Sequence, residues 1–152
     1  MSHKKDFPIF NKHKDLVYLD SGATTHKPQS VIDAITDFYQ SSYGTVHRGI
    51  YELSVQSTKK YNDARTAIKD YINAQSEKNI IFTRGTTDAI NLAAFGYLDH
   101  QLTDGDEILI TEIEHHANFV PWQQLEKRHN ITLKYAPIED DGSLNLAKFK
   151  SL

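Results

Sequence analysis

Residues 84–88 combine residue types that could bind a phosphate group. Their sequence, Arg-Gly-Thr-Thr-Asp, joins a short apolar run to a segment of helical composition. A helix start offers free N–H groups and the positive end of the helix dipole, and Thr86 and Thr87 would add two hydroxyl donors. The same residues could instead form an ordinary capped helix start, with a Thr or Asp side chain accepting from the N–H groups. Both interpretations stay open at this level.

Residues 114–118, Glu-His-His-Ala-Asn, offer a second kind of chemistry. An imidazole can lie flat against an aromatic ligand, or it can simply bond to nearby backbone. Because consecutive side chains of an extended chain point to opposite faces, we expect at most one of His115 and His116 to face a site. The spacing of residues 114–116 is not one in which metal ligands converge, so we predict no metal site there.

A third cluster is His47 and Arg48, in a loop between Gly44 and Gly49. Arginine suits bidentate recognition of a carboxylate or phosphate, but a single exposed Arg is usually a solvated charge. Taken alone, the loop therefore predicts that His47 and Arg48 are solvated side chains at the surface. The sequence has neither a G-K-[ST] phosphate loop nor a G-x-G-x-x-G fingerprint, which argues against a nucleoside triphosphatase and a dinucleotide-binding protein.

The second half of the chain has the pattern of an α/β fold. Short apolar runs alternate with helical patterns, which predicts two βαβ crossovers and a parallel sheet with flanking helices. In such sheets ligands collect beyond the carboxyl ends of the strands, which is where residues 84–88 and 114–118 would lie. The predicted strands are 79–82, 107–111 and 132–138, and the helices between them are 89–98 and 118–129.

The first half is predicted to be mainly helical. We expect residues 1–15 to form a mobile arm and residues 16–152 to form an incomplete domain. Because the final helical pattern after Asn145 has only seven residues, we expect the chain to be the N-terminal portion of a larger protein. The other predicted elements are a strand at 16–19, a helix of about four turns that begins at Pro28, a loop at 45–48 and a long helix at 52–74.

Composition narrows the class of protein. The 152 residues include 17 Lys and Arg, 20 Asp and Glu and no Cys, which gives a net charge of −3. The acidic balance gives no electrostatic footprint for nucleic acid, and the lack of Cys excludes disulfides and a cysteine nucleophile within these residues. No run is long and apolar enough for a membrane span, and the polar first ten residues do not suit a secretory signal. We therefore expect a cytoplasmic protein that binds neither nucleic acid nor membrane.

Four motifs, in this order, resemble one family. They suggest the N-terminal part of a SufS-like cysteine desulfurase, in the class V aminotransferase family of the pyridoxal-phosphate fold type I enzymes. The resemblance runs from about residue 16 to the end, and it departs at Gly22, where the family more often has Ala. The motifs are YLDSGATT with KP at 18–28, VHRG at 46–49, TRGTTDAIN at 83–91 and EHHAN with PW at 114–122.

The resemblance implies a reaction and a cofactor. Such an enzyme uses pyridoxal 5′-phosphate to remove sulfur from L-cysteine, which leaves L-alanine and an enzyme persulfide. The sulfur then passes to an acceptor protein for iron–sulfur cluster assembly, and the full-length enzyme is a homodimer. Two alternatives stay open: a selenocysteine lyase or other class V aminotransferase or lyase, and a catalytically inactive, truncated binding or dimerisation module.

The resemblance also implies roles for particular residues. Thr86 and Thr87 match positions that hold the cofactor phosphate, and His115 matches a histidine that stacks on the pyridine ring and helps to move protons at the substrate. His116 would then face away. The lysine that anchors the cofactor and the persulfide-forming cysteine lie, in the family, beyond residue 152, so the isolated chain is expected to be inactive. The expected substrate-binding residues are Gly22, Ala23, His47 and Arg48.

Overall fold

The computed structural model describes residues 3–152. It divides into two compact units, the first ending at Ile80 and the second beginning at Ile81. The first unit is helical, and the second combines helices with a small sheet. Within residues 3–152, no helix has both the length and the apolar character that a membrane span needs.

The first unit consists of helices joined by loops. Pro28 is extended, with φ −66° and ψ 156°, and directly precedes the second α-helix, so the helix predicted near Pro28 is confirmed. The long helix predicted at 52–74 is also confirmed, although it ends three residues earlier. The elements are a 3₁₀ turn at Lys4–Asp6, α1 at Ile9–Lys12, α2 at Gln29–Asp37, a π-helical continuation at Phe38–Ser42, α3 at Glu52–Tyr71 and a 3₁₀ turn at Glu77–Asn79.

Two predictions in this unit need comment. The strand predicted at 16–19 is wrong: these residues belong to no sheet, and Leu19 is 91% exposed. An apolar run becomes a strand only when a neighbouring strand accepts its ladder of hydrogen bonds. The arm predicted at 1–15 contains the first 3₁₀ turn and α1, and its first two residues lie outside the described residues.

The loop between the π-helix and α3 is fastened to α3 by side-chain hydroxyl groups. Ser54 and Ser57 of α3 are almost fully buried beneath it. The backbone also comes so close that a Cβ atom at Gly44 would lie 2.8 Å from the carbonyl carbon of Leu53. His47, at φ 59°, takes a left-handed conformation that is uncommon outside glycine. The fastening bonds run from Ser54 Oγ to Thr45 O (2.8 Å), from Ser57 Oγ to Ser42 O (2.7 Å) and from the His47 N–H to Thr58 Oγ1 (3.0 Å).

The second unit contains one βαβ crossover. Its two strands are parallel, with Glu107 paired to Thr132 and Thr111 paired to Ala136, and a helix connects them. The predicted strand at 107–111, the helical pattern after Asn145 and the parallel pairing are confirmed, and the Asn145 side chain caps that helix by accepting the Lys148 N–H. The elements are α4 at Thr86–Gly96, β1 at Glu107–Thr111, α5 at Val120–Arg128, β2 at Thr132–Ala136 and α6 at Leu146–Ser151, with 3₁₀ turns at Leu98–His100 and His116–Asn118.

The strand predicted at 79–82 is wrong, and with it the first of the two crossovers. The sheet that the described residues form has two strands, β1 and β2, and residues 79–82 lie outside it. Ile80 does have an extended conformation, with φ −100° and ψ 118°. The local preference was therefore correct, but the run has no strand beside it to form a ladder.

Burial of apolar side chains fixes α4 and α5 against the sheet. Ala94 of α4, Leu125 of α5 and Ile131 form the buried centre, and Trp122 packs against them. Asp99 makes polar contacts with the end of α5. Its carboxylate bonds to His129 Nε2 at 2.5 Å and to Arg128 Nη2 at 2.9 Å, and the hydrogen bond from His129 is the main cause that lowers the pKa of Asp99. A partly buried carboxylate thus fixes the direction in which the chain leaves α5.

Candidate functional site

The first turn of α4 offers unused hydrogen-bond donors. The loop before it is held by two bonds, from Thr83 Oγ1 to Gly85 O at 3.1 Å and from the Arg84 N–H to the Asp88 carboxylate at 3.2 Å. Asp88 accepts from the Arg84 N–H, and no side chain caps the N–H groups of the first turn. The backbone N–H groups of residues 86–88 have no acceptor among residues 3–152, and the hydroxyls of Thr86 and Thr87 likewise bond to nothing there. This helix start therefore has no side-chain cap within the described residues, and a role of residues 84–88 in phosphate binding stays a prediction.

Gly85 gives this turn its shape. Its backbone, at φ 154° and ψ −179°, lies in a region that is essentially restricted to glycine. No heavy atom lies within 4 Å of where its Cβ would be, so the requirement for glycine is conformational and not steric. The space beside the turn is open to a ligand.

A cavity of about 390 Å³ lies beside this helix start, within the second unit. Thr87, at the second helical position, lines it together with His115, so the two sequence motifs converge on one cavity. Thr86 precedes Thr87 and is exposed, but it is not part of the cavity wall. The lining residues are Thr87, Asn91, Phe95, His115, His116, Ala117, Val120, Pro121 and Gln124.

Asn91 and Phe95 are site residues that the sequence analysis missed. They follow Thr87 at intervals of four residues, so all three side chains lie along one face of α4. Asn91 Nδ2 also donates to Thr87 O at 2.7 Å. The spacing of four from a candidate ligand-binding residue on a predicted helix was the signal that could have identified them.

His115 is held by its own backbone turn. It precedes the 3₁₀ turn at His116–Asn118, and its Nδ1 accepts the Ala117 N–H at 3.1 Å. Because Nδ1 is the acceptor, the neutral ring carries its proton on Nε2. The ring is exposed and free to meet a ligand in the cavity.

A chain of side-chain hydrogen bonds fixes the segment that carries His115. The Glu114 carboxylate accepts from Asn118 Nδ2 and from Thr111 Oγ1, both at 2.8 Å. Asn118 Oδ1 in turn accepts the Trp122 Nε1–H at 2.9 Å. The Asn118 bond is the largest cause that lowers the pKa of Glu114, and the Thr111 bond adds to it. The end of β1 is therefore tied to the start of α5 on both sides of His115.

The expectation that at most one of the two histidines faces the site is wrong. His115 and His116 both line the cavity, with ring centroids 6.2 Å apart and planes at 85°. Alternation of side chains requires two successive extended residues. His115 is extended, at φ −62° and ψ 145°, but His116 already begins the 3₁₀ turn, so the alternation of an extended chain does not apply to this pair.

The four residues expected to bind substrate lie in the first unit, whereas the cavity is lined by residues of the second unit alone. Gly22 and Ala23 are exposed in a turn, where the Ala23 N–H donates to Asp20 O at 3.2 Å. His47 and Arg48 are exposed in the loop fastened to α3, and the His47 ring meets Tyr61 edge to face at 5.8 Å. Their role in substrate binding stays a prediction.

Comparison with known proteins gives the family. Residues 17–152 match the family model for Aminotransferase class-V. The chain belongs to this family. Among curated proteins, a probable cysteine desulfurase of Staphylococcus aureus is 48% identical over 149 residues, which cover 96% of this class V chain and 36% of the relative. A probable cysteine desulfurase of Staphylococcus epidermidis is 47% identical over 150 residues.

Solved structures of cysteine desulfurases share the fold of this class V chain. The apo enzyme from Thermococcus onnurineus matches with a TM-score of 0.88 at 34% identity, over 97% of this chain and 36% of that one. The enzyme CsdA from Escherichia coli matches with a TM-score of 0.79, also at 34% identity. The predicted fold class and the resemblance to cysteine desulfurases are thus confirmed. The chain spans about a third of the length of these relatives.

Proposed function

We propose that this chain supplies the phosphate cradle and the stacking imidazole of a pyridoxal-phosphate-dependent cysteine desulfurase. The observation that carries the proposal is the convergence of Thr87, from the uncapped start of α4, and His115, from the end of β1, on one cavity of about 390 Å³. Such a cavity has the size and the few polar groups of a cofactor site. Kinship with cysteine desulfurases gives the proposed reaction.

The donor set of α4 fits a dianionic phosphate. Three backbone N–H groups at residues 86–88 and the hydroxyls of Thr86 and Thr87 are unused within the described part of the chain. They lie at the positive end of a helix of eleven residues, where anion binding is favoured. In this proposal Thr86 contributes through its N–H and hydroxyl beside the cavity wall that Thr87 forms.

The remaining walls suit a flat ring. The His115 imidazole, fixed by the Ala117 N–H and by the Glu114 hydrogen bonds, would lie against a bound ring, and Phe95 and Pro121 would shield its apolar edges from water. Pyridoxal phosphate, when bound, supplies the electron sink that weakens bonds at the amino-acid carbon. The residues of this chain hold, orient and shield that group.

The wider proposal concerns the longer protein. We infer that it removes sulfur from L-cysteine, leaves L-alanine, and passes a persulfide sulfur to an acceptor protein of iron–sulfur cluster assembly, as a homodimer. The 152 residues contain no Cys, so the persulfide must form on a residue outside them. Gly22, Ala23, His47 and Arg48 are proposed to bind the substrate in that assembly. By the same reasoning the isolated chain releases no sulfide.

The proposal is tested by binding of pyridoxine 5′-phosphate, which lacks the aldehyde and so does not react with surface lysines. Titration of the ¹⁵N-labelled chain should perturb the amide signals of residues 86–88 and the ring signals of His115. Thr87→Val removes one hydroxyl donor to an anion, a bond worth about 1.5–3 kcal/mol, so affinity should fall at least about tenfold. Thr132→Val, at an exposed position of β2, is the matched control and should leave affinity unchanged.

Two results would contradict the proposal. If the ligand perturbs neither residues 86–88 nor His115, the proposed cofactor-binding site is contradicted. Sulfide release from L-cysteine by the isolated chain with pyridoxal phosphate would show that no residue outside the 152 is needed for the reaction.

A further inference from the structure

We propose that Tyr18 is a positioning residue for substrate binding. Its hydroxyl group holds the turn at residues 20–24 in a conformation that leaves backbone N–H groups free for the carboxylate of an amino acid. The inference rests on the proposed function, in which Gly22 and Ala23 of this turn bind the substrate. It adds a residue that acts through the turn without touching the substrate, and it names the substrate group that the turn receives.

One side-chain hydroxyl spans this turn. Tyr18 Oη lies 2.5 Å from Thr24 O and 3.2 Å from Asp20 O, so a single donor meets the carbonyl groups at both ends of the turn. The backbone closes the same turn with two bonds, because the Ala23 and Thr24 N–H groups both donate to Asp20 O, at 3.2 and 3.1 Å. The hydroxyl therefore reinforces a turn whose backbone bonds both end on a single carbonyl.

The closed turn leaves two backbone donors unused. Among residues 3–152, the N–H groups of Ser21 and Gly22 have no acceptor. No heavy atom lies within 4 Å of where a Cβ of Gly22 would be, so the turn is open to a ligand. Successive free N–H groups of a turn form a site for an anion, and a carboxylate only accepts hydrogen bonds. The α-carboxylate of an amino acid therefore suits this pair of donors.

Neighbouring rings hold the Tyr18 side chain in place. The His26 ring lies against the Tyr18 ring, with centroids 4.2 Å apart and planes at 50°. Phe10 in turn meets the His26 ring edge to face, with centroids 6.3 Å apart. His26 Nε2 is buried and has no hydrogen-bond partner among residues 3–152, so His26 supports Tyr18 by packing. The position of the hydroxyl is therefore fixed by its ring and does not depend on a bound ligand.

The test uses the ¹⁵N-labelled chain and two matched ligands. L-Alanine, the proposed product, carries the α-carboxylate, whereas L-alaninamide has the same side chain and amino group without a carboxylate. Titration with L-alanine should shift the amide signals of Ser21 and Gly22, and L-alaninamide should leave both signals unchanged. Absence of these shifts with L-alanine, or equal shifts with the two ligands, overturns the inference.

Variants at position 18 separate hydrogen bonding from ring packing. Tyr18→Phe keeps the ring and removes one neutral donor, so affinity for L-alanine should fall about threefold to tenfold. Replacement of Tyr18 by 4-aminophenylalanine restores a donor at the same place and should recover most of that affinity, which a role in packing alone would not predict. Tyr71→Phe, at a tyrosine of the same unit that is 88% exposed, is the control and should bind like the unmodified chain.

The outcomes distinguish this inference from the proposed function. Unchanged affinity for L-alanine in Tyr18→Phe overturns the role of Tyr18, and so does a loss that 4-aminophenylalanine does not reverse. Neither result bears on the cofactor site, which pyridoxine 5′-phosphate tests at residues 86–88 and His115. If that ligand perturbs neither of them while L-alanine still shifts Ser21 and Gly22, the proposed cofactor site fails and the turn remains a carboxylate site. Far-UV circular dichroism and the amide signals of α3 show whether a variant has kept the fold.

Discussion

At the scale of single residues, backbone conformation decides which glycines matter. Gly85 lies at φ 154°, where an L-residue is strained, whereas Gly22 takes an ordinary conformation. Neither would bring a Cβ within 4 Å of another atom. Alanine at these two positions therefore differs in conformational strain, while neither substitution causes a steric clash.

We predict that Gly85→Ala weakens binding of pyridoxine 5′-phosphate, because the turn must relax and carry the N–H groups of residues 86–88 away from the phosphate. The strain is of the order of 1–3 kcal/mol, and the free energy of unfolding should fall by a similar amount. Gly22→Ala is the control, and it should be neutral or stabilise the chain by up to about 1 kcal/mol. Urea denaturation and ligand titration measure both. Equal behaviour of the two variants would mean that the turn at Gly85 is not strained.

The same scale shows how far the sequence could locate the site. The types and positions of Thr87 and His115, at the start of a helix and the end of a strand, were sufficient to predict that they meet. The presence of His116 in the same cavity was not predictable from alternation, because His116 lies in a 3₁₀ turn and not in an extended segment. To identify Asn91 and Phe95 as site residues, one needs their helical spacing from Thr87 in addition to the motif.

At the scale of elements, the loop that carries His47 and Arg48 depends on hydroxyl groups of α3. Ser57 is 1% exposed, and its Oγ donates to the carbonyl of Ser42, which is also buried. Lys60 Nζ donates to Ser42 Oγ at 2.7 Å, so the same residue is held from two sides. Hydrogen bonds with α3, one of them buried, thus hold the loop and the residue that precedes it.

We predict that Ser57→Ala lowers the free energy of unfolding of the first unit by about 1–3 kcal/mol, because it leaves a buried carbonyl without its donor. Amide hydrogen exchange across residues 43–51 should also become faster. Asn62→Ala, at an exposed position of the same helix, is the control and should change stability by less than about 0.5 kcal/mol. An equally small effect for Ser57→Ala would show that the loop is held by other contacts.

Helices were more predictable than strands, for a physical reason. A helix satisfies its backbone hydrogen bonds within one segment, so a local pattern such as that of α2 is sufficient. A strand needs a neighbour. Residues 107–111 have one in 132–136 and form a ladder, whereas the equally apolar run at 79–82 has none within the sheet that the structure describes.

At the scale of the whole molecule, much apolar surface meets solvent. Leu19 is 91% exposed and Ile50 is fully exposed, and many other large apolar side chains of the described residues are also exposed. Large apolar side chains that meet solvent in this number favour association between chains. The isolated chain is therefore expected to bind a hydrophobic dye such as ANS and to associate as its concentration rises.

Sedimentation of the isolated chain should give an average mass that rises above 17.4 kDa with concentration. The double variant Leu19→Glu/Ile50→Glu should reduce both association and dye binding. Because neither side chain is buried, the free energy of unfolding should change by less than about 0.5 kcal/mol per site.

Each Glu adds one negative charge, so −3 − 2 gives a net charge of −5. The control Asn62→Glu/Gln101→Glu has the same charge but removes no apolar surface, so any difference between the two variants reports apolar contact and not repulsion. A chain that stays at 17.4 kDa at every concentration, without dye binding, would show that these side chains find cover within a single molecule.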